Sequence, residues 1–349
     1  MTAEIPSIHV YNQTTKSTNL NGMASKIAVI GAFDTLETNP KLFTSIKEAQ
    51  TLFGTDATYN GCAVIEELFE GASSLLCVNI TTESSGTRSK AITADNLAAA
   101  LAKIKGEDFD ILFVADTLTD TLLAIVTEFL DDCFEMKMPA GYIAYINGSN
   151  SAANITTAAL AGQHCYGLIP GQTFVVNGTS KTGLKTAAYY AGLIAGMNVG
   201  NTMTMKVVPG VTGVDPEFTF ETGDSGKAYV EAGLTVVKCQ DRHNNRYVVV
   251  NSEQPNGYDL YINRVRDYVV KQMALHQFLG ERNRQATIEE IGHELAAVKD
   301  NCVDSMDLLE DINYTIEKES ESCIGITIDS LLFAGIITTI NVYVRLEVE

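Results

Sequence analysis

The sequence predicts an α/β protein: a mostly parallel sheet with helices on both faces, followed by a smaller α+β C-terminal domain, with extended strand arms at the termini. Three observations lead there. Short apolar runs such as Ile27-Ala28-Val29-Ile30 alternate along the chain with amphipathic helical segments, and parallel neighbours need such crossover connections. With 349 residues, and roughly 100–200 per domain, there is chain enough for two cores. Finally, Ile340, Val342, Val344, Leu346 and Val348 alternate strictly with polar residues to the last position, the period of a strand. These features divide the chain into an N-terminal arm (1–24), an α/β domain (25–255) and a C-terminal domain (256–349) that ends in a strand arm from about 336.

Taken in order, the first arm is polar and rich in Thr, Asn and Ser, with one alternating piece, Ile8-His9-Val10-Tyr11, after Pro6. The run Ile27–Ile30, closed by Gly31, is short enough to be a buried strand. A helix over 46–53 follows, with Ser45 as N-cap and Gly54 as terminator. The next, from about Tyr59 to Gly71, carries Ala63, Val64, Leu68 and Phe69 at helical spacing and leads into the strand Leu75–Ile80. Thr81 to Lys90 reads as a polar loop. An Ala-rich helix over 94–104 presents Leu97, Leu101 and Ile104 on one face, and Phe109–Ala115 is the strand after it. The pattern repeats with a helix over 119–136, strands at Tyr142–Ile146 and His164–Pro170, and a helix over 184–197. In this last helix Gly192 and Gly196 stand one turn apart, so another backbone can approach there.

Further on, a helix ends at Gly233 and is followed by a hairpin of Thr235–Cys239 and Tyr247–Val250. Tyr261, Ile262, Val265, Tyr268, Val269 and Met273 form one helical stripe, with Arg264, Arg266 and Lys271 off it. Thr287 and Glu290 suggest a capping box for a helix that buries Ile288, Ile291, Leu295 and Val298. Asp304 to Glu321 reads as an acidic connection. Ile324, Ile326 and Ile328 then alternate as a strand, and the terminal strand has two possible partners: this one, or the sheet of a neighbouring chain.

Composition excludes several classes. A net charge of −19 disfavours nucleic acid and anionic membrane as partners, since binding to either rests on clustered Lys and Arg. A hydrophobic fraction of 46% leaves room for apolar surface buried between subunits. Seven scattered cysteines without a Cys-x-x-Cys pair indicate neither a disulfide framework nor a zinc site, and read as buried and reduced. The first residues lack the basic and apolar regions of a signal peptide. Of the uncharged stretches, 138–180 is broken by Asn147, Asn150, Asn154 and Pro170, and 186–205 by glycines, so a core helix suits the second better than a membrane span.

No catalytic, cofactor-binding or metal-binding constellation emerges. Gly223-Asp224-Ser225-Gly226-Lys227 lacks the first glycine of a phosphate loop and has Ala228 where Ser or Thr belongs. His293-Glu294 begins like a zincin helix, yet Ala297 takes the second histidine position. His9, His164, His243, His276 and His293 are far apart, Ser180-Lys181 sits in a polar loop, and the dinucleotide fingerprint is missing after the first strand.

Several of these stretches together resemble the contractile tail sheath protein family of phage tails and related injection machines. They are Ala28-Val29-Ile30-Gly31, Asn39-Pro40 before Leu42-Phe43-Thr44-Ser45, Phe53-Gly54, Glu70-Gly71 and the Ala-Gly helix Ala191–Gly196. Tyr229-Val230-Glu231-Ala232-Gly233-Leu234 is similar to the family's turn between a helix and a hairpin, although the usual Arg-Thr after the second strand is absent at Asn251-Ser252-Glu253. Tyr261–Arg266 resembles the helix that opens the family's C-terminal domain.

The resemblance implies a compact sheath subunit, not an enzyme. Such a subunit polymerises as hexameric rings or a helix around a tail tube and contracts to drive the tube through a target envelope. It implies strand arms that link neighbours, here Ile8, Val10, Ile340, Val342, Val344, Leu346 and Val348. It also implies charge contacts to the tube, with Arg264, Arg266, Lys271, Arg282 and Arg284 as candidates. Partners would be further copies of the chain, the tube, baseplate and terminator proteins, with no cofactor, no nucleic acid and no membrane insertion. The place would be a virion tail or phage-tail-like particle made in a cytoplasm. The competing expectation is a soluble oligomeric α/β hydrolase or nucleotide-binding enzyme with a deep pocket of convergent polar groups.

Overall fold

The computed structural model of the protein describes residues 25–146, 164–218, 220, 225–244, 246–273, 275–278, 281–320 and 323–335. Strand β1 (Lys26–Gly31) is followed by β2 (Lys41–Phe43), α1 (Ile46–Phe53), α2 (Asn60–Leu68) and β3 (Ser74–Asn79). A small hairpin, β4 (Thr82–Ser84) and β5 (Thr87–Ser89), leads to α3 (Ala94–Ile104), β6 (Ile111–Thr117), α4 (Asp120–Glu135) and β7 (Gly141–Tyr145). Next come β8 (Cys165–Ile169), β9 (Thr173–Val176), β10 (Thr179–Lys181), α5 (Leu184–Ala195) and β11 (Val211–Asp215). The described chain closes with α6 (Ser225–Glu231), β12 (Val237–Asp241), β13 (Arg246–Val249), α7 (Leu260–Met273), α8 (Gln285–Asp300), β14 (Asp311–Lys318) and β15 (Ile324–Leu332).

Six strands form the main sheet in the order β2-β3-β1-β6-β7-β8, parallel except for the edge strand β2. Its central strands read as unbroken apolar runs because both faces are covered. In β1, Ala28 and Ile30 pack with Leu97, Leu101 and Leu123 of α3 and α4. Ile27 and Val29 pack on the other face with Val64 and Leu68 of α2 and Ala191 and Ile194 of α5. Local signals set the helix ends: the Ser45 hydroxyl accepts from the Glu48 amide, Gly54 leaves α1 at φ 80°, and Thr93 with Asn96 closes a capping box on α3.

The glycine spacing in α5 does what the sequence suggested. A Cβ on Gly192 would collide with the Glu67 carbonyl oxygen, and one on Gly196 would lie 3.0 Å from the Gly71 Cα, so α2 and α5 meet backbone to backbone. This helix is a core element, buried from Thr186 to Ala195 apart from half-buried Leu193. Among the described residues no helix is long and apolar enough to cross a membrane. A third apolar cluster is separate from the two faces of the sheet and gathers Tyr261, Val265 and Val269 of α7, Ile291 and Leu295 of α8, and Ile312 of β14.

Some expectations need correction. The polar loop 81–90 contains the β4–β5 hairpin, and Ser180-Lys181 lies in β10 of a three-stranded β10-β9-β11 sheet. The acidic connection 304–321 contains β14, whose Ile312 and Ile316 alternate with Asp311, Thr315 and Glu317, so the period of two was present beneath the charge. β14 pairs antiparallel with β15 and occupies one edge of the strand expected to receive the C terminus. Thr287 is not an N-cap: α8 begins two residues earlier, and the Thr287 hydroxyl donates to the Arg282 carbonyl instead. Cys323 is exposed rather than buried, although all seven cysteines are free thiols.

The contact between α2 and α5 carries a clear expectation. Alanine gains about 1 kcal/mol over glycine in a helix interior, but overpacking against a backbone that cannot turn aside costs about 1–3 kcal/mol. Gly192→Ala should therefore lower stability by up to about 2 kcal/mol in chemical denaturation. An unchanged or raised midpoint would show that the two helices can part.

Candidate functional site: a charged helix and an open sheet edge

Helix α7 has two buried faces, and they differ in chemistry. The apolar stripe of Tyr261, Val265, Val269 and Met273 faces α8 and β14. The opposite face carries Asn263, Arg264, Asp267 and Lys271 and crosses the N-terminal rim of the main sheet. There it meets Asp110 before β6, Ser25 before β1 and Tyr166 of β8. The helix is started by Asp259, which is 7% exposed. One of its carboxylate oxygens accepts from the Tyr261 amide at 3.0 Å. The other accepts from Ser252 at 2.6 Å, Thr204 at 2.9 Å and Thr202 at 3.0 Å.

Along the polar face the partners are specific. The Arg264 guanidinium donates to the carbonyls of Met197 and Asn198 at 3.0 and 3.2 Å, just past the end of α5, where the helix dipole favours a cation. Burial pulls its pKa below the ordinary arginine value. Asp267 accepts from the Tyr166 hydroxyl at 2.8 Å and from Arg266 at 2.7 and 2.8 Å. The Lys271 ammonium donates to the Phe109 carbonyl at 2.7 Å, to Asp110 at 2.9 Å and to Asp108 at 3.1 Å. Burial alone would lower the Lys271 pKa, but Asp110 and Asp108 outweigh it and raise the pKa. A cavity of about 40 Å³ lies among Ser25, Asp110, Tyr166, Arg264, Asp267 and Lys271, room for a water or two.

Arg264, Arg266 and Lys271 lie off the apolar stripe, as the sequence led one to expect. Arg264 and Lys271 face the sheet rim, and Arg264 is only 4% exposed; Arg266 pairs with Asp267 and lies over the Phe134 ring of α4. Periodicity had identified one buried face; the second was concealed because its residues are charged. Arg282 and Arg284, in the segment before α8, are exposed. Of the arm residues, Ile8, Val10, Ile340, Val342, Val344, Leu346 and Val348 lie outside the described residues.

The second feature is the edge of β15 away from β14. A cleft of about 580 Å³ runs beside it, between Ile324, Ile326 and Ile328 on one side and Phe134, Val270 and Met273 on the other. Lys137 and Arg266 stand at the same cleft. Among the described residues β15 pairs with β14 alone, and a strand edge beside an apolar trough is a template for another strand.

Side chains of the protein knit the carboxyl ends of β1 and β3 together, beside the place where a doubly wound sheet binds its ligands. The strand order reverses direction between β1 and β6, and ligands of doubly wound sheets bind outside the carboxyl ends of the strands at such a point. Here Phe33 is fully buried just after β1 and stacks on Phe53 at 4.3 Å. The Asn79 side chain accepts from the Phe33 and Thr81 amides at 2.9 Å and donates to the Thr35 carbonyl at 2.7 Å, while the Thr81 hydroxyl donates to the Phe33 carbonyl at 2.8 Å. Arg88 anchors the β4–β5 hairpin beside this knot through Asp34 and Tyr59.

Elsewhere, His243 and His293 are exposed, and among the described residues no group of three His, Cys, Asp or Glu is arranged for a metal. Lys227, from the phosphate-loop-like stretch, is exposed and pairs with Glu231 at 3.8 Å.

Comparison with known proteins agrees with the geometry. Residues 90–252 match the family model of the phage tail sheath protein central domain. The fold is similar to the sheath tail protein of Desulfitobacterium hafniense, with a TM-score of 0.66 at 13% identity over 93% of this chain and 99% of that one. The sheath tail protein of Listeria innocua gives 0.64 at 11% identity over 88% and 95%. The helical sheath of the anti-feeding prophage in its contracted state gives 0.65 at 15% identity over 98% and 99%. No curated protein matches the sequence. The fold is thus that of tail sheath proteins, and residues 90–252 are similar to the central domain of the phage tail sheath protein.

The buried and exposed arginines should separate in a stability measurement. Arg264→Ala removes two charge-assisted hydrogen bonds and should lower stability by about 2–3 kcal/mol. Arg284→Ala should change it by no more than about 0.5 kcal/mol. Equal thermal midpoints for the two variants would contradict the docking of α7 on the sheet.

Proposed function

We propose that the chain is a structural tail sheath subunit, not an enzyme, that polymerises as hexameric rings or a helix around a tail tube and contracts to drive the tube through a target envelope. The observation that carries this is the sheath fold over nearly the whole chain, joined to the sheath central domain at 90–252. On this reading the free energy lies in a lattice with two packings of one subunit, which needs no reaction site. The knot of Phe33, Asn79 and Thr81 at the switch point weighs against a hydrolase or nucleotide-binding enzyme.

The arms complete the proposal. Ile340, Val342, Val344, Leu346 and Val348 supply a strand to the open β15 edge of a neighbouring copy, and Ile8 and Val10 link to a neighbour in the same way. On this reading tube contact falls to the exposed Arg282 and Arg284, because Arg264 and Lys271 are engaged at the sheet rim and Arg266 pairs with Asp267 against Phe134. Baseplate and terminator proteins meet the two ends of the lattice, in a virion tail or phage-tail-like particle.

Negative-stain electron microscopy of the full chain beside a version ending at residue 339 tests the assembly. Tubular polymers from the full chain, lost on truncation, are expected. Compact particles of fixed size from both would overturn the sheath reading. Co-expression with the tube protein should show that Arg282→Glu with Arg284→Glu leaves the subunit folded but reduces assembly on the tube, and tubes sheathed to normal length would remove those two residues from the contact.

A further inference from the structure

His164 stands immediately before β8 and is 2% exposed. Its Nε2 lies 3.1 Å from a carboxylate oxygen of Asp131 on α4, whose own side chain is 60% exposed. Nδ1 is enclosed and has no hydrogen-bond partner among the described residues. With the ring neutral, Nε2–H donates to Asp131, and the only cost is a bare acceptor at Nδ1. A second proton would place an N–H there with nothing to receive it, together with a charge in an enclosed site.

The ring is also part of a chain of contacts between elements. The Phe134 ring of α4 lies 5.6 Å from it, and the Arg266 guanidinium of α7 lies 5.5 Å from the Phe134 ring. His164, Phe134 and Arg266 thus join the foot of β8 to α4 and α7. Three charged groups act on the ring: Asp267 and Arg266 from α7 and Asp131 from α4. Phe134 and Arg266 also border the 580 Å³ cleft beside β15, so there is space into which the guanidinium can turn and be hydrated.

We propose that His164 is an acid-sensitive latch: when its ring takes a second proton, the contact through Phe134 to Arg266 opens and α7 loosens from α4 and β8. This stands on the subunit alone and does not depend on the sheath reading. Burial lowers the ring's pKa below its ordinary 6.5 and Arg266 adds to this, against the opposing pull of Asp267 and Asp131. A closed form that resists the proton loses stability as pH falls below 6.5, until the closed ring itself is protonated. Within that window the opening constant rises by up to about tenfold per pH unit.

Two mass-spectrometric measurements on the full chain test the latch. Deuterium exchange at the imidazole C2 positions reports each ring's titration. His164 should titrate below the ordinary imidazole value of 6.5. Amide exchange, corrected for its intrinsic pH dependence, should show α7 losing protection between about pH 6.5 and 5 in the wild type but not in His164→Gln. The latch is overturned by a His164 midpoint at or above 6.5, or by an equal loss of α7 protection in both proteins. Should His164→Gln fail to fold, the wild-type ring titration still decides, together with Asp131→Asn, which should shift the His164 midpoint lower still.

Discussion

A cation held against the carbonyl end of one helix, and a second held seven residues later against two carboxylates, fix where α7 lies on the sheet. Arg264 takes the carbonyls of Met197 and Asn198, and Lys271 takes Asp108, Asp110 and the Phe109 carbonyl. Seven residues of helix span about 10 Å, so the two anchors set both the rotation of α7 and its position along its axis. An apolar stripe alone permits neighbouring registers of similar energy. Fixed acceptors at two points do not, because each misplacement leaves a buried charge or carbonyl without its partner. The other consequences follow from this placement. The apolar stripe of α7 is presented to α8 and β14, the third cluster forms around it, and β15 is set with its free edge alongside the cleft.

The same joint explains what could be read from sequence. Strands and helices with both faces apolar, or with one clear stripe, were legible: the capped helix after Ser45, the Ala-rich α3, and the glycine pair in α5 that admits a neighbouring backbone. Short edge elements such as β2, β4 and β5 were not, since three residues carry too little pattern to distinguish a strand from a loop. β14 was missed for another reason. Its alternation is regular, but acidic residues on the solvent side dominate its composition and mask the period. For α7, charge off the stripe suggested a solvated face. Sequence says that Arg264 and Asp267 share a side of a helix; it does not say that Tyr166, from a strand almost a hundred residues earlier, will be waiting there.

A sheet of this topology has a standard place for chemistry, and the way this chain fills it bears on what the fold is for. Phe33, which follows β1, turns back into the core, and Asn79 and Thr81 satisfy the backbone around it. The residues at that point are used to close the loop rather than to present polar groups to a ligand. Polar investment is concentrated at the opposite end, on the N-terminal rim, where Asp110, Tyr166 and Asp267 bind α7. Among the described residues, Phe33, Asn79 and Thr81 close the loop after β1, and Asp110, Tyr166 and Asp267 at the other end of the sheet hold two parts of the subunit together.

On the proposed sheath reading, that division suits a protein whose work is assembly. A lattice that changes its packing must transmit force through each subunit without yielding inside it, yet must leave its edges able to accept neighbours. Rigid interior contacts supply the first requirement: the backbone-to-backbone meeting of α2 and α5 and the charged seat of α7 each permit one arrangement. The edge of β15 that is unpaired among the described residues would supply the second, because main-chain hydrogen bonds to an added strand are indifferent to the side chains around them and survive reorientation of the bodies they join. Interactions with many small equivalent minima would reverse these roles, allowing slippage within the subunit. The arrangement here places specificity in buried charge and leaves adaptability at the backbone edge, where a neighbouring copy can engage it.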